Sequence, residues 1–110
     1  MTKDAMDDRF EYNVSDSMSI PLRGQLLRLK LVSGAPSVKA LESGKRVRLR
    51  APDGRERVIH ILDHAITGGT VTRKRLDVTR ELDIVVPAHE ASIDAEPIGI
   101  GWQISGPVAD

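Results

Sequence analysis

The amino-acid sequence predicts an all-β domain: a small closed or partly open β-barrel of about six to seven mostly antiparallel strands. Three observations carry this. Apolar side chains recur at every second position in several short runs, as in Leu27, Leu29 and Leu31 or Ile98, Ile100, Trp102 and Ile104, the period of a half-buried strand. Glycine- and proline-rich turn chemistry punctuates those runs at frequent intervals. No stretch carries the three-and-four spacing of a long amphipathic helix. A chain of 110 residues suits one domain, and folding at that size buries roughly 60–70% of the unfolded surface.

Residues 1–17 hold five acids against two bases and read as an acidic N-terminal tail, mobile or loosely docked. The barrel is expected over 18–110. Its first clear strand begins at Gln25, with Leu27, Leu29 and Leu31 on one face and Arg28 and Lys30 on the other. Pro21 and Gly24 before it, and Ser33-Gly34 after it, favour strand over helix. The connection 33–45 has room for one helical turn around Val38 to Leu41.

The stretch 44–62 reads as a hairpin. Pro52-Asp53-Gly54 supplies the turn, proline presetting one backbone angle and glycine tolerating a positive one. A three-residue loop sets Val47 against Ile59, Leu49 against Arg57, Arg46 against His60, Arg48 against Val58 and Arg50 against Glu56. A two-residue loop would set Arg50 against Arg57. Cross-strand pairs differ by about 0.2–1 kcal/mol each, so the three-residue loop is favoured. It turns Val47, Leu49, Ile59 and Ile61 to the core and Arg46, Arg48 and Arg50 to solvent, about 7 Å apart along the strand.

Beyond the hairpin, Gly68-Gly69 marks a turn and Thr70-Val71-Thr72 favours strand. Residues 76–80 read as a turn of helix or a loop. LDIVVP (82–87) is a strand ended by proline, and 89–97 a polar connection. IGIGWQIS (98–105) alternates strictly and reads as the closing strand, with its isoleucines and Trp102 inward and Gly106-Pro107 ending it.

Four of these stretches resemble the second-domain β-barrel of elongation-factor-Tu-like translation GTPases. SIPLRGQLLRLKLVSG (19–34) is similar to that family's opening strand, and SGKRVRLRAPDGRERVIHIL (43–62) to its next hairpin. ELDIVVPAH and IGIGWQISGP resemble its later strands. The resemblance covers about residues 18–107 and implies a standalone barrel that serves as a contact module for RNA or protein. The sequence departs from the pattern at Leu22, where the family prefers glycine, at Lys45, where it prefers aspartate, and at Glu81-Leu82. The phosphate-binding Gly-x-x-x-x-Gly-Lys-Ser/Thr loop is absent, so nucleotide triphosphate binding is not expected.

Charge is distributed in blocks. Residues 1–16 are net −3, residues 17–80 net +9 and residues 81–110 net −6, which sum to zero. One reading is self-neutralisation, with acidic end strands beside basic middle strands. The other is a basic face that steers a polyanion. The residues of such a face are Arg28, Lys30, Arg46, Arg48, Arg50, Arg73, Lys74 and Arg75, since arginine's fork matches phosphate oxygens. Only three aromatics exist, Phe10, Tyr12 and Trp102, too few exposed rings for base stacking.

Catalysis has little in its favour. His60 and His64 lie on a predicted strand, about 13 Å apart, too far to share a metal. Asp63-His64 and His89-Glu90 are strand-type neighbours that point to opposite faces. Ser33, Ser43 and Ser105 precede glycine as turn residues, without a nucleophile elbow. The carboxylates Asp83, Glu90, Asp94 and Glu96 read as a solvated acidic set, with the 88–96 loop alternatively an acidic contact surface for a basic partner. No cofactor and no metal are expected. With no cysteine, no apolar leader and no run long enough to span a bilayer, a cytoplasmic setting away from membranes is expected.

The leading expectation is a non-catalytic module for protein–protein contact or self-association. The alternative is an RNA- or ribosome-binding protein using the arginine hairpin, and the third reading a small ligand-binding barrel or hydrolase.

Overall fold

The structure, a computed structural model, describes residues 9–37, 39–64 and 80–108. Among these residues nine strands are formed: β1 (Phe10–Ile20), β2 (Gly24–Gly34), β3 (Arg46–Arg50), β4 (Glu56–His60), β5 (Asp63–His64), β6 (Glu81–Val86), β7 (Ser92–Ile93), β8 (Glu96–Pro97) and β9 (Gln103–Gly106). Two short 3-10 turns, Lys39–Leu41 and Ala88–Glu90, complete the described elements. Seven strands form one antiparallel sheet in the order β4-β3-β9-β1-β2-β6-β5, and β7 and β8 form a separate hairpin. The all-β class expected from the sequence is the fold observed, as a curled half-barrel.

β4 and β5 lie at the two margins of the sheet yet are separated by only Ile61 and Leu62. The run 56–64 is therefore one extended stretch that changes partner. Its first part pairs with β3, and Ile61 N–H still donates to Lys45 O at 2.9 Å. Leu62 N–H then donates to Val85 O at 2.8 Å, and Asp63 and His64 pair with Val85 and Ile84 of β6. Ile61 and His64 are buried, while Leu62 and Asp63 between them stay outside. One run thus joins both margins of the sheet.

The β3–β4 hairpin has the expected register. Arg46 faces His60, Val47 faces Ile59, Arg48 faces Val58, Leu49 faces Arg57 and Arg50 faces Glu56. The loop closes through Ala51 N–H to Arg55 O at 2.8 Å and Gly54 N–H to Ala51 O at 2.9 Å. Gly54 has φ 97°, the left-handed region that glycine enters at no steric cost. The core holds the residues that alternation selected: Leu27, Leu29, Val47, Leu49, Ile59, Ile61, Leu82, Ile84, Trp102 and Ile104. Each large aliphatic buried there stabilises the fold by about 1.5–3 kcal/mol.

Two expectations need correction. Residues 10–17, read as tail, form most of β1, a central strand between β9 and β2. Phe10, Tyr12 and Val14 point into the core while Glu11 and Asn13 face out, so the acids that suggested a tail occupy the solvent side of a strand. Burial also raises the Tyr12 phenol to about 12. The closing strand is the second correction. Only Gln103–Gly106 is strand, and Gly99 to Trp102 turn instead, with Trp102 N–H on Gly99 O at 3.3 Å and Gly101 at φ 94°. Ile100, expected inward, sits on that turn 73% exposed. The strand reading ignored that two glycines allow the chain to fold back there.

Candidate contact surface

The basic side chains fall into three groups with different fates. Arg28 and Lys30 lie on the outer face of β2 opposite Asp83 and Glu81 of β6. Arg28 forks onto Asp83, with Nε to Oδ1 at 3.1 Å and Nη2 to Oδ2 at 3.3 Å, and Asp16 of β1 faces it from the other side. That hydrogen bond, then the charge of Asp83, raises the guanidinium above its ordinary range. Basic β2 therefore lies beside acidic β6, the self-neutralising arrangement among the options the charge blocks allowed.

Arg46, Arg48 and Arg50 alternate on the outer face of β3. Arg48 and Arg50 reach the single carboxylate of Glu56 at 3.9 and 4.0 Å, long contacts that leave both about half exposed. Three strand spacings separate β3 from β2 in the sheet order, about 14 Å. Gln103, Ser105, Glu11 and Asn13 fill the ground between them. The two basic groups share a face without forming one patch. Arg73, Lys74 and Arg75, with the expected strand at 70–72, lie outside the described residues.

Arg55 and Arg57, on the hairpin turn and β4, are used inside the molecule. Arg55 bonds Asp53, with Nε to Oδ1 at 2.9 Å, and also engages Glu96, Asp94 and the Ile93 carbonyl. These bonds raise the guanidinium further and hold the Asp53 carboxyl below its usual range. Arg57 Nη1 donates to Ser92 O at 2.9 Å. Glu90 accepts from His60 N–H at 2.7 Å and meets His60 Nδ1 at 2.9 Å. The stretch 90–96 is thereby clasped along β4. Its carboxylates are engaged by the protein's own side chains, which leaves less of an acidic contact surface than the sequence suggested.

The histidines do not converge as a metal centre. No group of three or more His, Cys, Asp or Glu able to hold a metal ion occurs among the described residues. His60 and His64 fall on the run 56–64, His60 facing Glu90 and His64 facing inward. His64 Nε2 lies 2.8 Å from Leu41 O, and its Nδ1 is buried without a partner. Burial lowers its pKa. His89 and Glu90 share a 3-10 turn rather than a strand, so both stand beside one another, with Nε2 to Oε2 at 3.8 Å. Ser33 and Ser105, read as turn residues, lie in β2 and β9.

The residues that sequence reasoning missed are apolar. The β1–β2 turn runs Ile20-Pro21-Leu22-Arg23 and is closed by Arg23 N–H to Ile20 O at 3.1 Å. Leu22 takes φ 69° and is fully exposed. This is the third position of a type II turn, where a left-handed backbone calls for glycine. A non-glycine residue there costs about 1–2 kcal/mol. Met18 is 49% exposed beside Leu26, and Leu26 pairs on its other side with Val85. Leu62, half exposed, adjoins that row through its bond to Val85. Arg23 and Asp63, paired at 2.6 Å, stand at its rim. The only early signal was Leu22 itself, standing where the barrel pattern prefers glycine. No helix among the described residues is long and apolar enough to cross a membrane. No protein-family model matches the chain, and no curated protein matches it.

Proposed function

We propose that the chain is a non-catalytic binding module, a barrel of the translation-factor type, that takes a protein partner on the apolar lip around the β1–β2 turn. The observation that carries this reading is Leu22: fully exposed, and held at φ 69° where glycine would relieve the backbone. Strain of that kind clusters at ligand clamps and binding loops. An apolar tip continued by Met18, Leu26 and Leu62 supplies desolvation, the main source of protein–protein affinity. The similarity of 19–34 to the family's opening strand supports the barrel part of the proposal.

RNA binding has less support. Arg28 and Lys30 face carboxylates, and Arg55 and Arg57 clasp the molecule's own loop. Among the described residues, the outward arginines on β3 fall short of the six phosphate contacts that would give about a thousandfold loss of affinity between 50 and 200 mM salt.

The test is affinity capture from a native extract with wild-type and Leu22→Ser protein, each with and without nuclease. A partner retained by the wild type, insensitive to nuclease and lost with Leu22→Ser supports the proposal. Partners that vanish with nuclease, or that ignore the substitution, refute it. Sedimentation of the purified chain separates self-association from capture of a different protein.

A further inference from the structure

At the other end of the β1–β2 hairpin lies an open cleft of about 390 Å³. Its floor is one cross-strand row on the outer face of the sheet. Arg48 of β3 faces Ser105 of β9, Ser105 faces Glu11 of β1, and Glu11 faces Ser33 of β2. Arg9 and Val108 line it as well. Arg9 immediately precedes β1, two residues before Glu11. Adjacent members of the row are about 5 Å apart.

The charges in this row are under-used. Arg48 comes only within 3.9 Å of Glu56 and is nearly half exposed. Neither Arg9 nor Glu11 forms an ion pair with another described residue. Two guanidinium groups, Arg9 beside β1 and Arg48 on β3, two serine hydroxyls, and one carboxylate between the hydroxyls line the same cleft. A bare inorganic anion suits the arginines but is repelled by Glu11. A cation suits Glu11 but is repelled by the arginines. Both demands are met by a ligand with a doubly charged anionic head and neutral hydrogen-bond donors a few ångströms away. Guanidinium forks match phosphate oxygens, and a carboxylate accepts from hydroxyls. The cleft volume falls in the range of small-molecule sites.

We propose that this cleft binds a small phosphomonoester that carries hydroxyl groups, of the sugar-phosphate class. Arg9 and Arg48 take the phosphate, and Glu11 with Ser33 and Ser105 takes the hydroxyls. The site is independent of the apolar lip, since about ten residues of strand separate them, roughly 33 Å.

The experiment is an NMR titration of the isotopically labelled protein with ribose 5-phosphate, inorganic phosphate and ribose in parallel. Ribose 5-phosphate should give saturable shifts at the amides of Glu11, Ser33, Arg48 and Ser105. Inorganic phosphate should bind about tenfold more weakly and ribose more weakly still. Arg48→Gln and Arg9→Gln should each weaken ribose 5-phosphate about tenfold or more. Glu11→Gln should tighten inorganic phosphate while removing the preference for the sugar ester, a reversal that general unfolding cannot produce. Absence of saturation up to about 10 mM ligand, equal affinity for the two phosphates in the wild type, or arginine variants that bind as the wild type would each overturn the proposal.

Discussion

Two side chains show how this sequence trades stability for something else. Leu22 occupies a left-handed turn position with no packing to offset the strain. Leu22→Gly should therefore stabilise the protein by about 0.5–1 kcal/mol, the relieved backbone energy less glycine's greater unfolded-state entropy. A rise in the urea midpoint with an unchanged slope checks it. If the lip is a contact surface, the same variant loses its partner while becoming more stable. His64 is the second case. Its folded pKa is lowered from 6.5, chiefly by burial. As pH falls below that ordinary value the unfolded chain takes up the proton first, so the unfolded state is favoured and stability drops. Stability is fully present above about pH 6.5 and is lost toward the lowered folded value. Urea unfolding across this window should show a shallower pH slope for His64→Gln, whose amide can still donate to Leu41 O. An unchanged slope would overturn the assignment to His64. Leu22 showed in the sequence only as a departure from glycine, since its exposure depends on the turn type, and the burial of His64 was not legible because it depends on a change of strand partner at 61–63.

Among elements, legibility followed turn chemistry. The β3–β4 hairpin was readable to the register, because Pro52-Asp53-Gly54 fixes the loop and the alternative sets Arg50 against Arg57. β2 and β6 were readable from alternation and their flanking prolines and glycines. β7 and β8 were not. Their two-residue turn is Asp94-Ala95, with φ 51° and 69°, a primed turn without the asparagine-glycine signature that betrays one. That hairpin depends on the clasp along β4. Arg57→Ala deletes the bond to Ser92 O and should cost about 1 kcal/mol. Hydrogen exchange should locate the loss: Ile98 N–H, which donates to Ala91 O at 3.1 Å, should exchange faster, while Leu27 and Leu29 in β2 stay protected. Equal acceleration in β2 would mean that the clasp supports the whole sheet rather than one loop.

For the whole molecule, the charge blocks were visible but their outcome was not, since sequence alone cannot say which strands become neighbours. The sheet order places β6 beside β2, so much of the apparent basic face is compensated. The same order makes the N-terminal segment indispensable. A chain starting at residue 18 lacks most of β1, the strand between β9 and β2. It loses Phe10, Tyr12 and Val14 from the core, and each such burial contributes about 1.5–3 kcal/mol against a total stability of about 5–15 kcal/mol. Such a truncation should not fold, shown by loss of the β-type circular dichroism and of a cooperative melt. A truncated chain that melts cooperatively would restore the reading of 10–17 as an accessory arm.

The run 56–64 belongs to both flanks of the sheet at once. It works like a clasp on a bracelet: peeling it from β3 also loosens its hold on β6. Opening cannot begin at one margin and spare the other. Amides of Val47 and Ile84, though on opposite flanks, should therefore exchange with the same free energy, and a single proteolytic cut at Ile61-Leu62 should unravel both.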